Sequence, residues 1–143
     1  MSAAEQINLH YEVDGDDFLS AGEASTDVKR VLGQLGIAPE MIRKVSIAMY
    51  EGEINMVIHA KGGVADVEID SEKVKVVLSD KGPGIKDIEL AMQEGYTTAP
   101  DNVRSLGFGA GMGLANMKKY TDDMVITSEV GVGTIVTMTI NIK

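Results

Sequence analysis

The sequence predicts an α+β protein in which helices and strands form a two-layer sandwich. Strands that pair as hairpins, with helices grouped between them, are the main observation behind this fold class. Hydrophobic residues make up 44% of the 143 residues and charged residues 24%, which is typical of a folded domain. This length suits one domain with a real core, so we expect a single domain over residues 1–143.

One strand and two helices are predicted in the N-terminal half. Residues 7–13 alternate apolar and polar side chains, as a half-buried strand does, and the strand and its turn occupy residues 1–19. Residues 20–35 carry apolar residues at spacings of three and four, and Gly36 ends this helix. The second helix runs from about Pro39 to residue 60, where Lys-Gly-Gly stops it.

Two strand hairpins and two short helices are predicted in the C-terminal half. Alternating apolar residues indicate the strands, and glycines end the first short helix and join the last two strands. In chain order these elements span residues 64–70, 73–80, 85–95, 114–121, 124–130 and 134–142.

Composition excludes several classes of function. The formal net charge of −9 argues against general affinity for nucleic acid or for an anionic membrane surface. The absence of cysteine excludes disulfides, thiolate metal sites and a cysteine nucleophile. The N-terminal residues do not resemble a signal peptide, and no apolar run is long enough to span a bilayer. We therefore expect a cytoplasmic protein.

The long second helix carries a polar pair on an otherwise apolar element. Glu51 and Asn55 are four residues apart and so share one face. A carboxylate beside an amide could hold a metal ion and a reacting hydroxyl or water. A solvated polar stripe would give the same pattern.

A second signal is the segment Asp80-Lys-Gly-Pro-Gly84 at the end of a predicted strand. Gly82 and Gly84 allow unusual backbone conformations and a close approach to another molecule. A carboxylate offers only acceptors, so Asp80 suits a ligand donor such as the adenine amino group. The alternative is a tight turn with a solvated aspartate.

Glycines at alternate positions precede the helix predicted at residue 114. Free N–H groups at such a helix start bind phosphate, whereas a flexible loop is the alternative. The sequence is neither a Walker A motif nor a dinucleotide fingerprint. The candidate phosphate-binding residues are Gly107, Gly109, Ala110, Gly111, Met112, Gly113 and Leu114. Thr134, after Gly131 and Gly133, is a fourth and weaker signal that a plain hairpin would also explain.

The order of these four motifs resembles the ATP-binding domain shared by gyrase-type topoisomerases, histidine kinases and MutL-type repair proteins, known as the GHKL or Bergerat fold. Glu51 to Asn55 match its N-box, and three glycine boxes match Asp80 to Gly84, Gly107 to Leu114, and Gly133–Thr134. The match covers about residues 20–143. The resemblance implies a mixed, mainly antiparallel sheet with helices on one face.

The resemblance also implies roles for the matched residues. Glu51 would be the general base or would orient the attacking hydroxyl, and Asn55 would coordinate Mg²⁺. Asp80 would accept from the adenine amino group, with Gly84 against the base and Thr134 supporting that pocket. The second glycine box would donate backbone N–H groups to the phosphates, and residues 96–106 would form a short lid over ATP.

Within this superfamily the chain resembles the small bacterial serine/threonine kinases of the anti-sigma factor group. Such a kinase transfers the γ-phosphate of ATP to a serine or threonine of a STAS-type partner. A sigma factor and a second copy of the chain are further candidate partners. The alternatives are a non-catalytic ATP-binding module that switches a partner, and a slow ATPase that acts as a timer.

Two residues beside Glu51 depart from the usual N-box. Gly52 should cost the helix about 1 kcal/mol relative to alanine, which suggests close packing at that position. Glu53 is a second acid, but it lies two residues before Asn55 and should therefore face another way.

Overall fold

The protein, described by a computed structural model over residues 6–15, 21–92 and 113–143, contains one five-stranded sheet with helices on one face. The strand order is β1-β2-β3-β5-β4. The elements are β1 (Ile7–Asp14), α1 (Glu23–Gln34), α2 (Pro39–Ala60), β2 (Gly62–Ile69), β3 (Lys73–Asp80), α3 (Ile88–Ala91), α4 (Gly113–Lys119), β4 (Asp123–Glu129) and β5 (Gly133–Asn141).

The predicted α+β class is confirmed. The resemblance implies a mixed, mainly antiparallel sheet, whereas all four pairings between the described strands are antiparallel and none is parallel. Alternate residues of the central strands are buried against the helices, and the intervening residues form an open face. This alternation is what a sheet with one covered face requires.

α2 lies at the centre of the helical layer. Its buried residues include Val45, Ala48 and Met49, which join the core formed with the covered face of the sheet. Gly52 explains how closely the helix approaches β3, because a Cβ atom there would overlap the Leu78 side chain. The close packing suggested for Gly52 is therefore confirmed.

α1 is attached to α2 by a buried carboxylate. No side chain caps α1 from its own N-cap residue, Gly22. Instead Glu53, which is 2% exposed, accepts hydrogen bonds from the N–H groups of Gly22 (3.0 Å), Ala24 (3.3 Å) and Ser25 (2.6 Å). The expectation that Glu53 faces away from Asn55 is met, and its carboxylate satisfies amides that a helix start leaves unpaired.

The helix predicted over residues 85–95 begins later in the structure. α3 starts at Ile88, where the Asp87 side chain caps it by accepting from the Leu90 N–H at 3.1 Å. The preceding residues form a loop, in which Gly84 has a φ of 80° that a helix does not allow. The end of the predicted helix, residues 93–95, lies outside the described residues.

None of the helices within the described residues has the length and apolar character that crossing a bilayer requires.

Candidate functional site

A cavity of about 360 Å³ lies between α2, the end of β3, the loop over residues 81–87 and α4. Its volume falls within the range of small-molecule sites, which are mostly apolar with a few polar groups. Leu78, Leu114 and Met117 provide apolar walls. The polar residues that line the cavity are Asn55, His59, Asp80, Lys86, Asp87 and Thr134.

Asp80 is oriented at the cavity by the backbone around it. Its Oδ1 atom accepts hydrogen bonds from the N–H groups of Gly82 (3.0 Å) and Thr134 (3.2 Å). The second bond follows from strand pairing, since Asp80 lies opposite Thr134 in the β3–β5 ladder. Among the described residues Oδ2 accepts no hydrogen bond, so this oxygen is available to a donor on a ligand.

Thr134 is the buried polar residue of the same wall and is 7% exposed. Its hydroxyl lies 2.8 Å from the Ser128 hydroxyl, which donates to the Gly133 carbonyl at 3.2 Å and accepts from the Ile85 N–H at 2.7 Å. With the single Ser128 proton on the Gly133 carbonyl, Thr134 is the donor of the pair. The Thr134 oxygen then keeps acceptor capacity toward the cavity.

Ser128 is a site residue that the sequence analysis missed. It joins the hairpin between β4 and β5 to the loop that follows Asp80, and Gly131 adds a second link by donating to the Pro83 carbonyl at 2.9 Å. Nothing in the local sequence marks Ser128. Its position beside Thr134 becomes visible only once the β4–β5 register is known.

The two glycines after Asp80 are explained by close approach to the protein itself. A Cβ atom on Gly82 would lie 2.6 Å from the Ala60 Cβ, at the end of α2. A Cβ atom on Gly84 would lie 2.5 Å from the Glu129 carbonyl oxygen, in the β4–β5 hairpin. Both glycines therefore hold the loop against its neighbours, and Gly84 also lines the cavity.

The structure brings the polar pair of α2 to the first residues of α4. A Cβ atom on Gly113 would lie 2.8 Å from the amide atoms of Asn55, so glycine lets α4 pack closely against this side chain. One turn later Asn116 donates from Nδ2 to Glu51 Oε1 at 3.4 Å. Glu51 and Asn55 are both half-buried and so remain open to solvent on one side.

Part of the predicted site lies outside the described residues. This part comprises the proposed lid, residues 96–106, and the candidate phosphate-binding residues Gly107, Gly109, Ala110, Gly111 and Met112. Gly113 and Leu114, the last two residues of that motif, lie at the start of α4, and Leu114 lines the cavity.

The family follows from comparison with known proteins. A family model described as a histidine kinase-like ATPase domain matches residues 19–140. The chain belongs to this family. Its membership confirms the predicted superfamily, since histidine kinases are among the proteins whose ATP-binding domain the sequence resembles.

Relatives with assigned names share most of the chain. An anti-sigma F factor from Thermoanaerobacter sp. (strain X514) is 34% identical over 132 residues, covering 86% of this chain and 89% of the relative. An anti-sigma F factor from Pasteuria penetrans is 32% identical over 133 residues, covering 85% of each.

A solved structure supports the fold assignment. It contains the RsbU and RsbW domains of a Mycobacterium tuberculosis protein and matches with a TM-score of 0.63 at 18% identity. The match covers 94% of this chain and 32% of that chain. At this identity the likeness shows the fold alone.

The polar groups that line the cavity fit the ATP that an ATPase domain would hold. Asp80 offers a free carboxylate oxygen and Thr134 a hydroxyl, both at an apolar cavity suited to a base. No group of three or more histidine, aspartate or glutamate side chains that could hold a metal ion occurs within the described residues.

His59 is a further cavity residue that the sequence analysis did not assign. It lies one turn after Asn55 on α2 and lines the cavity with Asp80. Burial lowers the pKa of His59 below its ordinary value of 6.5, so its imidazole is neutral at pH 7.

Proposed function

We propose that this protein is an ATP-dependent serine/threonine protein kinase of the anti-sigma regulatory type. It would transfer the γ-phosphate of ATP to a serine or threonine of a STAS-type partner protein. We place it in the cytoplasm, where ATP is available. A sigma factor and a second copy of the chain are further candidate partners, the former because relatives are named anti-sigma F factors.

One observation carries this proposal: residues distant in sequence meet at the cavity and at the packing of α2 against α4 beside it. Asn55 meets Gly113 where α2 and α4 pack, Glu51 contacts Asn116 there, and Asp80 pairs with Thr134 in the adjoining wall of the cavity. A nucleotide with its base near Asp80 would place its phosphates toward the start of α4. Phosphoryl transfer depends mostly on such positioning and on charge stabilisation.

Each residue then has a chemical role. Asp80 would accept from the adenine amino group through its free oxygen, with Thr134 and Gly84 beside it. Asn55 would hold Mg²⁺, which supplies charge neutralisation at the phosphates. Glu51 would accept the proton of the substrate hydroxyl while that oxygen bonds to the γ-phosphorus and the bond to ADP breaks.

The first test is ATP binding measured by calorimetry with and without Mg²⁺. Wild-type protein should bind ATP, and Asp80→Asn should weaken binding at least tenfold, or about 1.4 kcal/mol, because an amide presents a donor where the adenine amino group also donates. Thr127→Ala, whose side chain lies on the open face of the sheet, is the matched control and should bind like wild type. Absence of ATP binding in the wild type would rule out all nucleotide-dependent functions.

The second test separates the kinase from its alternatives. Glu51→Ala should bind ATP normally but lose phosphoryl transfer to a STAS-domain protein, measured with γ-labelled ATP. If partner regulation survives this change, the protein is a non-catalytic ATP-dependent switch. If wild type releases labelled phosphate without labelling the partner, the protein is a slow ATPase.

A further inference from the structure

A group of basic side chains lies beside the candidate transfer site. We call Arg43 and Lys44 of α2 and Lys119 of α4 the basic patch. Arg43 Cζ lies 5.8 Å from the centroid of the Tyr120 ring, and Lys119 Nζ lies 5.4 Å from the same centroid. One aromatic ring therefore contacts two cations that come from different helices.

These cations have no carboxylate partner in the part of the chain that the structure describes. The ion pairs there involve other residues, and none places a carboxylate oxygen within 4.0 Å of Arg43, Lys44 or Lys119. Glu40, one turn before Arg43, is exposed and makes no such pair either. The basic patch is thus a local group of positive charges in a chain whose net charge is −9. A bound anion would relieve their mutual repulsion.

The basic patch adjoins Glu51 along both helices. Lys44 precedes Glu51 by seven residues, so it lies on the same face about 10 Å away along the axis of α2. Lys119 lies one turn after Asn116, whose amide contacts Glu51. An anionic group on the basic patch would therefore be close to a hydroxyl positioned at Glu51.

We propose that the basic patch docks acidic side chains of the protein substrate that flank its phosphorylated serine or threonine. This inference rests on the proposed kinase function. A separation of about 10 Å corresponds to about three residues of extended chain, so the acids would lie near the third position from the acceptor. A short acidic segment can reach the basic patch without covering the rest of the acidic surface. A nucleic acid, charged along its whole length, would be repelled by that surface.

The experiment measures peptide binding by fluorescence anisotropy. The probe is a fluorescein-labelled peptide with a central serine and glutamates at the third position on either side, and its counterpart carries lysines there. The test variant is Lys44→Glu/Lys119→Glu. The control, Lys29→Glu/Lys73→Glu, makes the same change in net charge at two exposed residues that form no ion pair within the described residues. Calorimetry with ATP verifies that both variants keep the nucleotide site.

Wild type and control should bind the glutamate peptide more tightly than the lysine peptide. The test variant should bind the glutamate peptide about fivefold more weakly, in line with two exposed charge pairs. The difference should shrink when salt rises from about 0.05 M to about 0.3 M. Equal binding of the two peptides by wild type, or an equal loss in test and control variants, would overturn the inference.

Two further outcomes separate this inference from the kinase proposal. Glutamate-peptide binding that depends on the basic patch, without labelling of any serine by γ-labelled ATP, would keep the docking surface and reject the kinase. Labelling that is equal for both peptides and unchanged in the test variant would keep the kinase and reject the docking surface. A single-stranded oligonucleotide that binds the basic patch more tightly than the glutamate peptide would also reject an acidic protein segment as its occupant.

Discussion

At the residue scale, Glu53 shows how a charged side chain can be buried next to the candidate functional site without belonging to it. It accepts from three backbone N–H groups at the start of α1, while Glu51, two residues earlier, stays half-buried near Asn116. Three amides and the positive end of α1 compensate the buried charge. Glu53 thus fixes α1 against α2.

Replacing Glu53 should therefore cost stability. We expect Glu53→Ala to lower the free energy of unfolding by about 2–4 kcal/mol, because three amides lose their acceptor in a buried site. Glu53→Gln keeps one oxygen acceptor and should cost less. Urea unfolding followed by circular dichroism measures both. Glu23→Gln, an exposed acid in the first turn of the same helix, is the control and should change stability by less than about 1 kcal/mol. A loss as large in Glu23→Gln would contradict this account.

Gly52 gives a second prediction at this scale. A methyl group at Gly52 would push the Leu78 side chain toward the cavity that both residues line. The helix gains about 1 kcal/mol from alanine, which offsets part of a repacking cost of about 1–3 kcal/mol. Gly52→Ala should thus change the free energy of unfolding by less than about 2 kcal/mol but weaken ATP binding about tenfold.

The control for Gly52 is Gly33→Ala. A Cβ atom at Gly33 on α1 would meet nothing within 4 Å, so this change should stabilise the fold without altering ATP binding. Shortening the displaced side chain provides a second check, because Gly52→Ala/Leu78→Val should recover part of the lost affinity. Normal ATP binding by Gly52→Ala would show that Leu78 moves elsewhere.

At the element scale, the loop after Asp80 and the β4–β5 hairpin act as one unit. Ser128 accepts from the Ile85 N–H, Gly131 donates to the Pro83 carbonyl, and Gly84 packs against Glu129. The cavity wall that contains Asp80 and Thr134 is thereby built from two segments far apart in sequence. Loosening one segment should loosen the other.

Ser128→Ala tests this coupling. It removes the acceptor for the Ile85 N–H and the hydroxyl partner of Thr134, so we expect faster hydrogen exchange at the Ile85 amide. ATP affinity should fall about fivefold and stability by about 1 kcal/mol. Thr127, the preceding residue, has its side chain on the open face of the sheet. Thr127→Ala should therefore leave the exchange at Ile85, the ATP affinity and the stability unchanged. Unchanged exchange at Ile85 in Ser128→Ala would mean that the hairpin does not hold the loop.

The elements themselves could be predicted because their signals are local. The apolar spacing of residues 39–60 and the alternation of residues 73–80 set α2 and β3 to within a residue or two, and the chain order of the motifs indicated the superfamily. The helix predicted over residues 85–95 is an exception. Its pattern is helical, but Asp87 has an extended backbone and caps the helix with its side chain, so the helix starts at Ile88.

The site could be predicted only in part, because its remaining contacts depend on strand order. Nothing local to Ser128 indicates that β5 lies between β3 and β4, which is what brings its hydroxyl to Ile85. The partners of Glu53 are about thirty residues away in the chain and likewise become visible only in three dimensions. The predicted roles of Glu51, Asn55 and Asp80 await the experiments above.

At the scale of the whole molecule, acid should weaken the fold in two stages. The Asp27 carboxyl accepts hydrogen bonds from Tyr11, which has the larger effect, and from Arg30. The Asp70 carboxyl accepts hydrogen bonds from the backbone N–H groups of Glu72 and Lys73. These bonds hold the pKa of both carboxyls below the ordinary value, so their stabilisation is complete above about pH 4 and is lost as pH falls further. On acidification this loss of stability comes second, below about pH 4, after the loss caused by His59 that is described next.

The first stage belongs to His59, whose pKa is lowered by burial. Below about pH 6.5 the unfolded chain takes up a proton that the folded protein resists, so stability falls as pH falls, by no more than about 1.4 kcal/mol per pH unit. Urea unfolding between about pH 7.5 and pH 5 should show this slope in wild type and a smaller slope in His59→Gln. The matched control, His10→Gln on the open face of the sheet, should keep the drop that His59 causes. The same slope in His59→Gln as in wild type would show that other groups cause the loss of stability. His59 would then not be the titrating residue of the cavity.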